Sequence, residues 1–241
     1  MSRWRSLALA TAVLAGVSLT ACQSSQDKAK EIQARAQAAA PKPLVISKPN
    51  KDVKVVNTAL IHDQNGDAIV VELKNESRQM LINVPILIDV KDPKGKTVYK
   101  NDTAGLDFAL NHVAVIKPGE TFYWVNDQLT GQGKTAKVTV GQPEAKPPSG
   151  GLPELTVSPP KAGHDFSGPK VSGTVTDRSK IDQQHLILFA VARQGGHIVA
   201  AGRGQIKALK VGAKPANYTI YFIGNPVGAD VTIQAPPTTL R

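Results

Sequence analysis

The sequence is nearly without cysteine: Cys22 is the only one among 241 residues. A lone thiol excludes an intramolecular disulfide and any zinc site built on several thiolates. Aromatic residues make up only 5 % of the chain, so its cores have to be assembled from Val, Ile, Leu and Ala. Catalytic signatures are missing too. The five histidines, His62, His112, His164, His185 and His197, are scattered without metal-ligand spacing, and neither a G-x-S-x-G elbow nor an H-E-x-x-H pair occurs. Gly202-Arg203-Gly204 lacks the third glycine and the following helix of a dinucleotide site, and reads instead as a bulge or turn. The expectation is a protein that is not an enzyme, with no cofactor and no metal site. What the chain has in quantity is Gly (20) and Pro (17), in clusters that favour turns and linkers over long helices.

The amino terminus carries an address. Arg3 and Arg5 precede an apolar run from Leu7 to Leu19, and the chain turns polar directly after Cys22. This is the layout of a secretory signal, with a positive segment, an apolar segment and a small-residue cleavage point. Leu19-Thr20-Ala21-Cys22 resembles the lipobox of bacterial lipoproteins. The resemblance implies a diacylglycerol on the Cys22 sulfur, cleavage before it, and acylation of the new amino terminus. Two or three chains would hold the protein firmly, since each buried methylene contributes ~0.8 kcal/mol. An uncleaved transmembrane anchor is the first rival, but the run is short of the ~20 apolar residues a spanning helix needs and is diluted by Thr11, Gly16 and Ser18. An ordinary secretory signal is the second, and it would leave one odd thiol in a secreted protein. The expected location is the extracytoplasmic face of the cell membrane, or the outer membrane in a cell that has one.

Residues 27–40, DKAKEIQARAQAAA, are strong helix formers with one large apolar side chain, Ile32, and so no face to bury. They read as a helical or flexible stalk. Then two β-rich regions follow. In the first, 53–61, 68–73, 81–90, 96–99, 112–116, 121–125 and 137–140 read as strands, with turns at Asn65-Gly66, Asp92-Pro93-Lys94-Gly95 and Lys117-Pro118-Gly119-Glu120. The continuous apolar run 81–90 reads as a strand covered on both faces or in a sandwich core, and Pro85 within it as the mark of an edge or a bulge. Residues 141–151, GQPEAKPPSGG, form a Pro/Gly-rich linker. In the second region 171–176, 185–192, 197–201, 217–224 and 231–233 read as strands.

The two regions look like distant copies. Each runs from a β-branched strand through a long apolar strand, a Lys-x-Gly turn (Lys117-Pro118-Gly119, Lys210-Val211-Gly212) and an aromatic strand (Phe122-Tyr123-Trp124, Tyr218 to Phe222). The arrangement resembles the FxLyD family of small extracytoplasmic β-sandwich domains, most closely in Val171-x-Gly173-x-Val175, Leu186-Ile187-Leu188 with Val191, and 195–200. That resemblance implies an immunoglobulin-like fold and a non-enzymatic interaction module. The expectation is therefore all-β: two tandem immunoglobulin-like β-sandwich domains preceded by a signal peptide and a short helical or flexible stalk. The boundaries are signal peptide 1–21, lipidated stalk 22–43, first domain 44–140, linker 141–154 and second domain 155–241.

Charge suggests partners. Bases exceed acids by 29 to 19, a net charge of +10, and from Lys161 onward the bases dominate, with Lys170, Arg178, Lys180, Arg193, Arg203, Lys207, Lys210 and Lys214 against Asp165, Asp177, Asp182 and Asp230. Outside the cytoplasm nucleic acid is not the expected partner. Anionic lipid, an anionic cell-wall polymer or an envelope protein is. The bland alternative is that the charge serves solubility. Asp63, Asp67, Asp89 and Asp92 lack calcium-loop spacing and read as turn carboxylates. Alternation puts Phe122 and Trp124 in a core with Tyr123 opposite. Three Asn-x-Ser/Thr triplets, at Asn75, Asn101 and Asn217, read as accidental. The expected function is a membrane-anchored, non-catalytic binding or scaffolding module of the cell envelope. The alternative is a solute- or metal-binding lipoprotein serving a transporter.

Overall fold

In the computed structural model residues 42–240 are described. The segments expected as signal peptide and stalk, with Cys22, lie outside the described residues up to residue 41.

β-Branched runs and tight turns build the first half. β1 (Val53–Asp63) and β2 (Gly66–Asn75) form a hairpin closed by the Asp63–Gly66 pair. The turn is Gln64-Asn65 and not Asn65-Gly66, because Asp63 Oδ1 accepts from the Asn65 N–H at 2.7 Å and Gly66, at φ 141°, opens the return strand. β3 (Leu81–Lys91), β4 (Thr97–Lys100), β5 (His112–Ile116), β6 (Thr121–Asn126) and β7 (Thr135–Val140) follow. One sheet has the order β1-β2-β6, and in the facing sheet β4, β5 and β7 all pair antiparallel with β3. Pro85 pairs with His112 at the end of the β5 ladder, and on the other side of β3 only its carbonyl is used, accepting from Gly141 N at 2.8 Å.

The second half has β8 (Leu155–Val157), β9 (Lys161–Asp165), β10 (Gly168–Asp177), β11 (Gln183–Gln194), β12 (His197–Leu209), β13 (Ala216–Tyr221), β14 (Ile223–Gly224) and β15 (Asp230–Gln234). β13-β10-β8, with β9 also on β10, make one sheet, and β14-β12-β11-β15 the other. All pairings are antiparallel, and no α-helix occurs among the described residues. The fold is all-β.

Gly202-Arg203-Gly204 is neither bulge nor turn. It lies in a regular stretch of the β11–β12 ladder, away from the register shift at Ala192/Arg193, and the strand runs on to Leu209. A Cβ on Gly202 would sit 2.0 Å from the Tyr221 carbonyl oxygen, and one on Gly204 2.7 Å from Ile220. Glycine is there to let β12 approach β13 closely.

Burial separates strands covered on one face from strands covered on two. β3 alternates despite its apolar composition: Val84, Ile86, Ile88 and Val90 are fully buried while Leu87 and Asp89 are not. β2 and β11 are the doubly covered strands. Ile69, Val71 and Leu73 share a face with Phe122, Trp124 and Asn126 of β6 and point into the first half's core, where the indole N–H donates to Ala109 O at 2.9 Å. Ala68, Val70 and Glu72 turn the other way, and so do Tyr123 and Val125. In β11, Leu186, Leu188, Ala190 and Ala192 fill a core with Val171, Val175, Ile206, Tyr218, Ile220 and Phe222. Ile187, Phe189 and Val191 instead join the first half's apolar cluster. The β1-β2-β6 sheet therefore packs against the β11-β12 sheet, and the two halves meet over a continuous apolar contact. Phe189 joins the first core itself and meets Phe122 edge to face, centroids 5.3 Å apart.

The segment after β7, loose by composition, begins bound to β3. Gly141 N donates to Pro85 O at 2.8 Å, Glu144 N to Asn83 O at 3.1 Å, and Ala145 bridges Ile82.

Candidate functional site

The junction between the halves carries both polar fastenings and a crevice. Gln234 of β15 acts like a short piece of strand toward β6. Its Oε1 accepts from the Tyr123 N–H at 2.8 Å and its Nε2 donates to Thr121 O at 2.9 Å, which satisfies the free edge of that sheet. Arg193 Nη1 donates to the Tyr123 hydroxyl at 2.6 Å, and Asp63 Oδ2 accepts from the Gly224 N–H at 2.8 Å. Tyr123 was expected to face away from the core, and it does; what it meets is the other half of the chain.

Beside this junction lies an apolar crevice of about 260 Å³, bordered by Phe108, His112, Gln184, His185, Phe189 and Pro236. Its first wall comes from a single 3₁₀ turn, Phe108–Leu110, capped by Asp107, whose carboxylate accepts from the Ala109 N–H. The cap presents Phe108, 45 % exposed, flat against the His112 ring at 4.3 Å between centroids. Although His112 opens its strand, its side chain is only 11 % exposed, under Phe108. Nδ1 lies 2.6 Å from Asn111 Oδ1 and Nε2 3.2 Å from Glu144 Oε2. Burial holds its pKa below the ordinary histidine range, and Glu144 opposes this by charge and hydrogen bond. Both ring nitrogens are engaged, which fixes the imidazole in the wall. On the other wall His185 has φ 49°, in the left-handed region that a non-glycine side chain occupies at a cost of roughly 1–3 kcal/mol.

A second feature adjoins the crevice through Gln184, which also borders a depression with Lys180, Ile181, Asp182, Val211 and Thr239. Here the β10–β11 and β12–β13 loops meet. Asp182 Oδ1 accepts from the Val211 N–H at 2.9 Å and ties them together. Arg178, Lys180, Lys207, Lys210 and Lys214 are all exposed at this end.

The other sequence candidates are spread over the molecule. His62 is exposed, held by Asp67 at 2.6 Å and Gly133 O at 3.0 Å, and His197 is exposed at the start of β12. Of the four acidic residues weighed for calcium, three act locally: Asp92 Oδ1 accepts from Lys94 N and Lys96 N, Asp89 from the Thr97 hydroxyl, and Asp67 lies against His62, while Asp63 also reaches Gly224 across the junction. Among the described residues no group of three or more His, Cys, Asp or Glu is placed to hold a metal ion. Asn75 and Asn101 are fully buried, their side-chain nitrogens donating to backbone carbonyls, so neither is accessible for glycosylation. At the far end of β9 the Asp165 carboxyl is held below its usual range by hydrogen bonds from Lys170 Nζ, at 2.6 Å, and from the Ser167 N–H. Phe166, beside it, is fully exposed at the hairpin tip.

The crevice went unseen in the sequence because its walls lie some 75 residues apart and meet only when the halves pack. The exposed Phe108 beside a capping Asp107 was the one local hint. No family model matches the chain, and a search of curated proteins finds no match.

Proposed function

We propose that the protein is an acyl-anchored, extracytoplasmic lipoprotein of the bacterial cell envelope that works as a non-catalytic binding or scaffolding module. The observation that carries this reading is the lone cysteine at the end of Leu19-Thr20-Ala21-Cys22, behind a basic and then apolar segment. The FxLyD-like pattern of the second half, with the immunoglobulin-like sandwiches it implies, supports a recognition role. Anchoring is tested by Cys22→Ser followed through detergent-phase partitioning. The native chain goes to the detergent phase as a processed, acylated form, and the serine variant stays unprocessed and unacylated. An identical acylated product from the variant sinks the reading.

A second reading, a solute-binding lipoprotein serving a transporter, is favoured by the apolar crevice with its few polar rim groups. A thermal-shift screen with small amphipathic molecules separates the two, since a bound solute raises Tm.

A further inference from the structure

The basic excess of the second half is not spread evenly over it. Arg178 and Lys180 lie on the β10–β11 loop, Lys207 near the end of β12, and Lys210 and Lys214 on the β12–β13 loop, all exposed. None of the five makes an ion pair with another described residue. The carboxylates of the same region are Glu154, Asp177 and Asp182. Asp177 is buried and accepts from the Ser179 N–H, and Asp182 accepts from the Val211 N–H. Two of the three are thus turned onto backbone amides that fix the loops, while the cations face outward. Val211 stands among them, 41 % exposed, followed by Gly212 at φ 68°. Between the two loops lies the open depression of about 410 Å³ that Lys180, Asp182 and Val211 border.

The opposite end of the second half is different in kind. At the Phe166 hairpin Lys170 is paired with Asp165, and Tyr221 donates to the same carboxylate. Charge there is cancelled locally.

The geometry points to the paired β10–β11 and β12–β13 loops as a docking surface for an anionic lipid bilayer, with Arg178, Lys180, Lys207, Lys210 and Lys214 on the headgroups and Val211 at the level of the interface. The inference rests on the anchored reading, and it names the surface by which the anchored body meets its membrane. Charge complementarity carries it: each Lys or Arg held near an anionic leaflet strengthens binding about fivefold. The tether permits it, because an extended chain from Cys22 to Lys42 reaches at most about 70 Å. An exposed apolar side chain within a basic patch suits a bilayer interface better than a wholly polar wall polymer.

The test uses the full acylated chain, in which Cys22 is blocked, with one introduced thiol carrying a fluorophore: Ala213→Cys on the basic end or Ser167→Cys on the distant hairpin. Quenching by a headgroup-attached quencher is compared in phosphatidylcholine vesicles with and without roughly one third phosphatidylglycerol. The expected result is strong quenching at 213 and weak quenching at 167 in anionic vesicles at about 0.01 M salt, and loss of the difference at about 1 M, where the Debye length is about 3 Å. Lys207→Glu with Lys210→Glu and Lys214→Glu weakens the 213 signal at least about tenfold. Equal quenching at both sites, or a 213 signal indifferent to anionic lipid, overturns the inference. So does capture by soluble polyphosphate without a response to anionic vesicles, which assigns the surface to a polymer. Failure of anchoring shows separately, as protein left in the supernatant of zwitterionic vesicles. The anionic comparison at 213 then still decides the docking surface.

Discussion

Arg203 of β12 and Asp127, just after β6, clasp across the two halves: the arginine backbone N–H donates to Oδ2 at 3.1 Å and its Nε to Oδ1 at 2.8 Å. Their side chains are only 10 % and 21 % exposed. Gly202 and Gly204 on either side face β13, so alternation aims Arg203 at the first half. Charged hydrogen bonds at such a site contribute about 1.5–3 kcal/mol, and removal of one partner leaves the other poorly solvated. Arg203→Ala or Asp127→Ala is expected to lower the unfolding free energy by about 2 kcal/mol, with the double variant costing clearly less than the two together. Urea titration of the four proteins measures this, and simple additivity would show that the clasp contributes nothing.

The shared apolar contact predicts that the halves unfold together. Trp124, fully buried in the first half, reports on that half. A fluorophore on Ala213→Cys reports on the second. The two probes should give the same urea midpoint, as a single cooperative transition requires. Two midpoints separated by more than the fitting error would mean that the junction is too weak to couple the cores.

How far the residues announced this arrangement depends on the range of the information. The seven strands of the first half were legible, because β-branched runs and Pro/Gly turns are local. Tyr218, Ile220 and Phe222 were legible as one buried face for the same reason. β9 was not, since Lys161 to Asp165 is a mostly exposed strand without apolar alternation. The continuation of β12 was missed because Gly202 and Gly204 look like turn residues until β13 lies against them. The junction was missed because small residues such as Ala68 and Ala201 fill it, and nothing in their local pattern distinguishes a second covered face. The candidate crevice inherits that blindness, while the cations of the basic end were visible one by one and only the fold gathers them.

Glycine at 202 serves a close approach, and glycine at 212 a backbone angle, which gives two different expectations. Gly202→Ala puts a methyl group 2.0 Å from a carbonyl oxygen of β13. It should cost more than about 3 kcal/mol or prevent folding, as overpacking of a tight core does. Gly212 has φ 68° with open space around it. Gly212→Ala should cost about 1 kcal/mol from backbone strain alone, and Gly212→Asn less. Equal costs at the two positions, measured by denaturant midpoints, would contradict this.

Two buried polar side chains should respond in opposite ways. Asn101 is fully buried and fully used: its Nδ2 donates to Ile86 O and Leu110 O, and its Oδ1 accepts from the Ile88 N–H. Asn101→Ala strands three backbone groups and should cost at least about 3 kcal/mol. The Tyr218 hydroxyl is buried without a partner among the described residues, and burial pushes its pKa up. Tyr218→Phe should be neutral or stabilising by up to about 1 kcal/mol. Marked destabilisation by the phenylalanine would show that the hydroxyl has a partner after all.

The crevice histidine sets a pH dependence with a definite sign. Burial lowers the pKa of His112 below its ordinary value of 6.5, against the pull of Glu144. The folded protein therefore holds that proton less tightly than the unfolded chain. Stability contributed by the neutral ring is present above about pH 6.5 and is lost as pH falls through the lower, folded value. His112→Gln should flatten the stability profile in that window and leave the alkaline side unchanged. Glu144→Gln removes the opposing carboxylate and should lower the pKa further, while Phe108→Ala uncovers the ring and should return it toward 6.5. An NMR titration of the His112 imidazole in the three proteins decides the matter. A native pKa above 6.5, or no change on removing Phe108, would mean that the stacked ring does not keep the imidazole dry.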